Sequence, residues 1–271
     1  MVEEAKKKAQ STYNAAADSF DDPANEYWDR YGRGTVERLD LASGASVLDV
    51  ACGTGASAIP VAEIVGSTGK VIGIDLAEGL LELGRTKAKA QGLQNVEFRQ
   101  GDMTNLDFED NTFDAVICVF GIFFVPDMES LVAELWRVVK PGGKLAITTW
   151  GPDLFEPMYG AFDNELKKER PDLVSDFRPW DRITTVQAVE QLLRDGGTTN
   201  ITAEAEQGEQ KLFNQDSWWK VVTGSGLRAA AESAGKDLAE RVRQDNIAFI
   251  NENNIKSIST NVIYGVAQKD E

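Results

Sequence analysis

The stretch VLDVACGTGASA, residues 47–58, constrains the fold more strongly than any other part of the chain. It is an apolar run interrupted by Asp49, followed by glycines at positions 53 and 55 and then by small residues. Glycine at such a turn takes backbone angles that other residues avoid and lets the main chain approach a ligand closely. A helix that begins there directs its free N–H groups toward an anionic group. The pattern therefore predicts a buried strand, a nucleotide-binding turn and a helix.

The alternation of strand and helix continues for about a hundred residues. Strands are predicted at residues 46–51, 70–75, 96–101, 113–119 and 144–149. Helices are predicted at residues 56–65, 77–91 and 128–140. Helix 128–140 carries its apolar residues at i, i+3, i+4 and i+7, and Pro141-Gly142-Gly143 is expected to end it. Successive steps of this kind predict a parallel sheet with helices on both faces, whose ligands lie beyond the carboxyl ends of the strands.

The rest of the chain is less regular. Residues 4–40 are predicted to form two helices broken at Asp21-Asp22-Pro23, and residues 150–183 are rich in aromatic residues and proline. A helix with Thr184 and Gln187 as a candidate capping box is expected to follow and to end at Gly196-Gly197. Further elements are predicted as a strand at 201–206, mostly helical residues at 216–253, and a last strand at about 257–268. The polar–apolar alternation of this last strand suits an antiparallel position.

Composition excludes several classes of function. The chain has 44 acidic and 28 basic residues and no histidine, so a nucleic-acid partner and any histidine base or histidine metal site are not expected. Two cysteines, Cys52 and Cys118, cannot form a metal cluster alone, and no metal is expected. No apolar run approaches the ~20 residues of a membrane span, and MVEEAKKKAQ lacks the apolar region of a signal peptide. We therefore expect a cytoplasmic protein without stable membrane insertion.

Residues that follow the predicted strands are expected to meet at one edge of the sheet. Asp75, after the second strand, can accept hydrogen bonds from a ribose diol, and capping of the next helix is the alternative role. Asp102 and Met103, after the third strand, would read the edge of adenine through a carboxylate and a backbone N–H, unless Asp102 serves only the turn. Phe120 follows the fourth strand, close to the expected reacting centre. The glycine spacing alone also fits a dinucleotide fingerprint.

Four stretches, in this order and spacing, resemble the successive motifs of class I S-adenosylmethionine-dependent methyltransferases. They are VLDVACGTG, VIGIDLAEGLLELGR, VEFRQGDMTNLDFEDNTFDAVICVFGIFFVPD and RVVKPGGKLAITTW. Within that class the chain looks most like the ubiquinone/menaquinone type, which modifies small molecules, over about residues 40–150. The resemblance implies an α/β, Rossmann-like, mostly parallel sheet of seven strands with helices on both faces. Its last strand would be antiparallel and inserted beside the sixth, in agreement with the patterning.

The resemblance also implies S-adenosylmethionine as the cofactor. The backbone near Ala51, Gly53 and Gly55 would hold its methionyl part, Asp49 would hold the amino group, often through water, and Leu76 would pack on adenine. The residues predicted to bind the cofactor are Asp49, Ala51, Gly53, Gly55, Asp75, Leu76, Asp102, Met103 and Phe120.

The substrate side is predicted to be apolar. Ile122-Phe123-Phe124-Val125 stands where many relatives have polar or histidine residues, so Phe123 and Phe124 are predicted to line a hydrophobic substrate pocket. Trp150, beside the predicted lid segment, is a further candidate contact to a small-molecule substrate; packing is the alternative for each. Methyl transfer from a sulfonium depends mainly on alignment and on exclusion of water, so an enzyme without histidine is feasible and no catalytic residue is assigned. The sequence specifies neither the methyl acceptor nor an oligomeric state.

Two other functions are open at this point. An NAD-dependent oxidoreductase uses a similar turn, but such enzymes usually lead into the first glycine with apolar residues rather than an acid such as Asp49. A relative that binds the nucleotide without catalysis is the second alternative. The predicted organisation is an N-terminal helical lid, a cofactor-binding core, an inserted substrate or lid segment, and a C-terminal part of the core with a helical insertion at 216–253. These parts are residues 1–40, 41–150, 151–183 and 184–271.

Overall fold

The computed structural model describes residues 2–175 and 177–271, and for Val2 the backbone alone. Met1 and Asp176, which fall within the predicted segments 1–40 and 151–183, lie outside the described residues. Within this part of the chain the strands are β1 Ser46–Val50, β2 Lys70–Asp75, β3 Val96–Gln100, β4 Phe113–Val119, β5 Val139–Trp150, β6 Ile201–Glu206, β7 Glu209–Lys211, β8 Ser257–Ser259 and β9 Val262–Gln268.

Helices surround the strands. They are α1 Val2–Ala16, α2 Tyr27–Glu37, α3 Ala58–Val65, α4 Glu78–Ala90, α5 Met128–Arg137, α6 Met158–Glu169, α7 Val186–Asp195, α8 Ser217–Thr223, α9 Arg228–Ala234 and α10 Lys236–Glu252. Short 3₁₀ turns occur at Pro23–Asn25, Ile122–Phe124, Pro171–Leu173 and Pro179–Ile183. The two predicted N-terminal helices and the helical character of 216–253 are confirmed.

The main sheet has seven strands in the order β3-β2-β1-β4-β5-β9-β6. The pairs from β3 to β5 are parallel, whereas β9 runs antiparallel to both β5 and β6. This confirms the predicted Rossmann-like sheet with its last strand inserted beside the sixth. The parallel pairs place the carboxyl ends of β1 to β4 on one edge, where a ligand is expected.

The core lies on both faces of the sheet because successive strand residues point to opposite sides. In β1, Leu48 and Val50 face the larger apolar cluster, while Val47 faces the smaller one. In β4, Cys118 belongs to the larger cluster and Ile117 to the smaller one. All five side chains are fully buried, which explains why both strands read as nearly continuous apolar runs.

Helix α5 ends earlier than the pattern predicted. It stops at Arg137, and β5 begins at Val139, so Pro141-Gly142-Gly143 lies inside an irregular first part of the strand. The reason is that the carbonyl oxygen of Val138 accepts hydrogen bonds from the backbone N–H groups of residues 112 and 113, both at 2.9 Å. Strand pairing thus starts before the proline, and the register shifts between Phe113 and Ala115.

The predicted capping box at Thr184 and Gln187 is wrong by one residue. Helix α7 is capped by Thr185, whose side chain accepts a hydrogen bond from the Ala188 N–H at 3.2 Å. Thr184 instead follows directly on the 3₁₀ turn Pro179–Ile183, in which Pro179 stands at the N-terminus. A turn that ends at Ile183 leaves the next extended residue, Thr185, as the cap.

The predicted strand at 257–268 is two strands. β8 pairs with β7 in a separate two-stranded sheet, and β9 alone enters the main sheet. Between them the Thr260 carbonyl accepts a hydrogen bond from the Tyr31 hydroxyl at 2.5 Å, and the Thr260 N–H donates to Gly208. Because of these bonds, the backbone at Thr260 pairs neither with β7 nor with the main sheet, and the strand is interrupted there. No helix in the described residues is both long and apolar enough to span a membrane.

Candidate active site

A cleft opens at the carboxyl ends of β1, β2, β3 and β4, and α1 lies along its outer side. The space in and in front of it, open solvent included, amounts to about 1010 Å³. Of the residues predicted from sequence, it brings together Ala51, Gly53, Asp75, Leu76, Asp102, Met103, Phe120 and Phe124. These come from four separate loops, so the fold assembles the site as the strand-end argument expected.

The turn after β1, residues 51–57, is called the glycine turn here. Ala51, Gly53 and Gly55 all have positive φ, at 53°, 53° and 88°. Gly55 lies beneath the cleft, since a Cβ there would stand 2.8 Å from the Phe98 ring. Gly53 lines the cleft, and a Cβ there would have only ordinary contacts. The two glycines therefore serve different purposes, Gly55 in packing and Gly53 in backbone conformation next to a ligand.

Asp75 ties this turn to the end of β2. Its Oδ2 accepts from the Gly53 N–H and its Oδ1 from the Ala77 N–H, both at 2.9 Å. Desolvation raises the pKa of the Asp75 carboxyl. Each oxygen retains a further lone pair, so two ribose hydroxyls can still be accepted. Asp75 does not cap α4, whose N-cap is Ala77 and has no side-chain capping bond; the bond from Asp75 goes to the N–H of Ala77, just before the helix. The ribose role stays a prediction.

Asp49 lies under the glycine turn and does not line the cleft. It is fully buried, and its Oδ2 accepts from the Ser57 hydroxyl at 2.6 Å. Its Oδ1 is buried without a hydrogen-bond partner among the described residues. Desolvation raises the pKa of Asp49 to about 7. A buried carboxylate oxygen without a donor is unusual, and a ligand ammonium, directly or through water, would satisfy it. The site thus fits the amino group that the resemblance assigned to Asp49.

Asp102 stands at the opposite end of the cleft and is already engaged. Its Oδ2 accepts from Lys6 Nζ at 2.6 Å, and its Oδ1 accepts from the Thr104 N–H and hydroxyl, both at 2.8 Å. Burial opposes ionisation of Asp102, but the hydrogen bonds from Lys6 and Thr104 outweigh it and lower the pKa. Asp102 is therefore an ionised acceptor with a cation beside it. Sequence reasoning did not find Lys6, which lies 96 positions away.

Part of the cleft wall is formed by aromatic side chains. Phe20 stacks on Trp28 with ring centres 5.1 Å apart, and Tyr13 packs edge-on against Phe20 and Phe124. Phe120 lines the cleft with a positive φ of 55°. Burial raises the pKa of the Tyr13 hydroxyl, so it stays protonated at neutral pH. An aromatic wall of this kind suits a flat apolar ligand.

Trp150 does not line the cleft. It is buried and stacks on Phe120 with a centre-to-centre distance of 3.8 Å, so Phe120 stands between it and the cavity. The described residues of 151–183 contribute nothing to the cleft wall, although Trp180 packs on Phe123 at 5.6 Å. Substrate contact by Trp150 and Phe124 and the lid role of this segment stay predictions.

Several lining residues were not assigned to the site from sequence. They are Lys6, Ala9, Gln10, Tyr13, Phe20, Trp28, Thr54, Ala56, Ser57, Leu80 and Thr104, among others. The aromatic residues of this set fall within residues 1–40, which the sequence predicted only as a lid. A signal was available in α1, where Lys6, Gln10 and Tyr13 share one helical face at i, i+4 and i+7.

No group of three or more His, Cys, Asp or Glu residues within 2–175 and 177–271 is arranged to hold a metal ion. Both cysteines are buried and free, and desolvation raises the pKa of each thiol. The expectation that no metal is needed stays a prediction.

Comparison with known proteins adds independent findings. The profile of the ubiE/COQ5 methyltransferase family matches residues 4–173. The demethylmenaquinone methyltransferase of Bacillus cereus is 46% identical over 111 residues, 41% of this chain and 47% of that protein. The enzyme of that name from Lactococcus lactis is 40% identical over 141 residues, 51% of this chain and 55% of that protein. The chain thus matches about half the length of these curated relatives.

Solved structures agree on the fold. The YcgJ protein of Bacillus subtilis superposes with a TM-score of 0.60 at 18% identity, covering 89% of this chain and 99% of that one. At this identity the likeness concerns the fold alone.

Proposed function

Because this chain belongs to the ubiE/COQ5 methyltransferase family, as its motifs predicted, we propose that it transfers a methyl group from S-adenosylmethionine to a small aromatic acceptor of the quinone type. The single observation that carries the proposal is the cleft itself. Its floor joins the glycine turn to Asp75, and the remaining wall is aromatic. The first half matches a nucleoside with a charged amino-acid tail, and the second matches a flat apolar ring.

The residues of the cleft divide the cofactor among them. Asp75 suits the ribose, and Asp102 with the Met103 N–H the adenine edge, while the buried Oδ1 of Asp49 beneath the glycine turn would serve the ammonium group through water. When bound, S-adenosylmethionine supplies an electrophilic methyl group on its sulfonium sulfur. The glycine turn orients the methionyl part because its backbone angles leave Gly53 open to the cleft.

The described residues that line the cleft include a phenol and a thiol, each of which would have to lose its proton before it could act as a base. Tyr13 and Cys52 line the cleft, and burial raises the pKa of both, so each keeps its proton. The chain has no histidine. We infer that the acceptor brings its own nucleophile, such as the electron-rich ring of a hydroquinone or a phenolate. The named relatives act, by their names, on demethylmenaquinone, and an acceptor of that class fits the aromatic wall.

The protein itself aligns the acceptor with the cofactor and excludes water from the cleft. Phe20, Trp28 and Phe120 hold a flat acceptor against the cofactor, and α1 covers the opening. Positioning alone supplies several kcal/mol toward such a displacement, on the order of 7–11 kcal/mol in the most favourable cases. This accounts for an active site without an assigned catalytic residue. We also propose a cytoplasmic location and no nucleic-acid substrate.

The test is direct. The purified protein is incubated anaerobically with S-adenosylmethionine and a reduced demethylmenaquinone analogue, and the product is analysed by mass spectrometry. We expect a gain of one methyl group and an equal amount of S-adenosylhomocysteine. A parallel titration with NAD is expected to show no binding. Binding of S-adenosylhomocysteine without methylation of any quinol, phenol or amine would favour the binding-only alternative instead, and binding of NAD alone would favour the oxidoreductase.

A further inference from the structure

The N-terminal residues 2–22, called the strap here, are held by polar contacts along most of α1 and by an apolar cluster farther on, where Ala16 and Phe20 pack with Ala77 and Leu80. Helix α1 buries only Thr12 and Ala16 among its described side chains. Most of its other residues are exposed or partly exposed, and its mean hydropathy is low for a packed helix. A helix with so little apolar burial gains little from packing, so side-chain contacts must keep it in place.

Those contacts reach the same three loops that form the cofactor site. Lys6 Nζ donates to Asp102 and Thr104 in the loop after β3. Gln10 Nε2 donates to the Leu76 carbonyl at 2.9 Å, in the loop after β2. The first part of the strap is thus fastened to the loops at the edge of the cleft.

Two further side chains of the strap, those of Asn14 and Asp21, also bind the loops around the cleft. The Asn14 side chain accepts from the Gly79 N–H at 2.8 Å, at the first turn of α4. Asp21 Oδ1 accepts from the Thr54 hydroxyl at 2.8 Å and from Lys87 Nζ at 2.6 Å, which ties the strap to the glycine turn. The loops after β1, β2 and β3 are therefore each held by the strap through hydrogen bonds, and the segment after β4 is contacted through the Tyr13 and Phe124 rings.

The inner face of α1 closes the cleft. Lys6, Ala9, Gln10 and Tyr13, spaced at i, i+3, i+4 and i+7, all line it. A nucleoside that lies between the loops and this face is enclosed, and it can leave only when the face moves away.

We propose that the strap closes over the bound cofactor and that Lys6, acting through Asp102, is the fastening that sets how long the cofactor stays. The inference rests on the proposed function in taking S-adenosylmethionine as the ligand. Lys6 is a positioning residue: it holds the carboxylate that faces the base, and Asp102 has lone pairs left for an amino group while it accepts from Lys6.

The ion pair is suited to repeated opening. The Lys6 and Asp102 side chains are 20% and 30% exposed, so water and salt reach them and weaken their attraction. The Leu76 carbonyl that Gln10 engages also accepts from Gln100 Nε2 at 3.0 Å, so release of the strap leaves this group paired. Release of these two contacts therefore leaves no buried polar group unpaired, since Asp102 also keeps its hydrogen bonds from Thr104.

The experiment measures the dissociation of S-adenosylhomocysteine by stopped flow, without methyl acceptor. Lys6→Met is expected to dissociate it about fivefold faster, the loss of one ion pair of roughly this strength. Lys7→Met, which removes the same charge from an exposed position of the same helix, is the matched control and should behave as wild type. Lys6→Arg is expected to restore slow dissociation because it keeps the cation.

The dependence of the dissociation rate on ionic strength distinguishes an ion pair that controls release from a purely structural role. Raising ionic strength from about 0.05 M to about 0.5 M should speed dissociation from wild type, and it should speed dissociation from Lys6→Met by a smaller factor, because the Lys87–Asp21 pair is still present there. Hydrogen exchange in residues 3–16 should slow when S-adenosylhomocysteine is added to wild type. Equal rates in Lys6→Met and Lys7→Met, or unchanged exchange in α1, overturns the strap while the proposed function stands. Absence of any binding to wild type overturns both.

Discussion

The floor and the strap of one cleft are built in opposite ways. The floor, formed by the glycine turn with Asp49 and Asp75, sits on the central strands, and burial raises the pKa of both carboxyls. The strap is joined by partly exposed ion pairs, Lys6–Asp102 and Lys87–Asp21, whose charges are already matched. In the floor, Asp49 has a carboxylate oxygen without a hydrogen-bond partner, which a ligand could supply. In these two pairs of the strap, each charge already has its partner. Substitutions in the floor should therefore change stability and affinity, and those in the strap should change rates.

The largest effect is expected at Gly55. Gly55→Ala should lower the free energy of unfolding by about 3 kcal/mol, because φ is 88° and the new Cβ would stand 2.8 Å from the Phe98 ring. Gly92→Ala is the matched control, with φ of 71° and open space around it, and should cost about 1 kcal/mol. Urea unfolding measures both. Equal losses would show that the floor is not rigid against Phe98.

The second effect concerns affinity. Asp75→Ala should weaken S-adenosylhomocysteine binding by about 1–3 kcal/mol, since two ribose hydroxyls lose their acceptor. The protein should remain folded, because Asp75 ends a strand and does not fill the core. Asp75→Asn keeps one acceptor oxygen and should lose less. Calorimetric titration that finds unchanged affinity in Asp75→Ala would refute the ribose assignment.

The third effect is a pH dependence carried by Asp49. Its pKa is raised from 3.8 to about 7, so the folded protein binds more protons than the unfolded chain in that window. Stability of the free protein should fall as pH rises from about 4 to about 7, with a slope of at most ~1.4 kcal/mol per pH unit from this group. A bound ammonium favours the ionised carboxylate, so cofactor affinity should rise over the same range.

Asp49→Asn separates this group from Asp75, whose pKa shift has the same direction. In that variant the stability profile should flatten and the rise in affinity with pH should disappear. Thermal unfolding and titrations from pH 5 to 8.5 measure the two. A profile identical to that of wild type would place the titrating group elsewhere.

The smallest effect is expected at Lys87 of α4, which pairs with Asp21 of the strap. Lys87→Met removes a cation that lies 2.6 Å from Asp21 and 2.9 Å from the Thr54 hydroxyl. The free energy of unfolding should change by less than about 1 kcal/mol, as for other partly exposed pairs. Dissociation of S-adenosylhomocysteine should nevertheless become faster. A stability loss as large as that of Gly55→Ala would erase the distinction between strap and floor.

The sequence alone predicted those elements and site positions whose pattern lies within a few neighbouring residues. The strands of the parallel sheet are short apolar runs, and the floor residues follow them directly, so Asp75 and Gly53 were found without a structure. The antiparallel last strand showed its own alternation. Each of these features depends on neighbours within a few positions.

Features that depend on distant partners were missed. Lys6 looks like any exposed lysine of a charged helix, and its partner Asp102 is 96 residues away. Strand β7 is Glu-Gln-Lys, with no apolar residue to mark it, and it exists because β8 pairs with it. The break at Thr260 likewise comes from Tyr31, which donates to it from another part of the chain. Tertiary hydrogen bonds of this kind leave no periodicity.

The place of β9 between β5 and β6 has a consequence for the order of assembly. In the main sheet β6 pairs only with β9, and Leu145 of β5 meets Ala267 of β9 across more than a hundred positions of sequence. On the ribosome the strands from β1 to β5 can pair as they emerge, whereas β6 has no neighbour until residues 262–268 have been made. A nascent chain stalled before that point would present an open edge at β5, the kind of surface on which chaperones act.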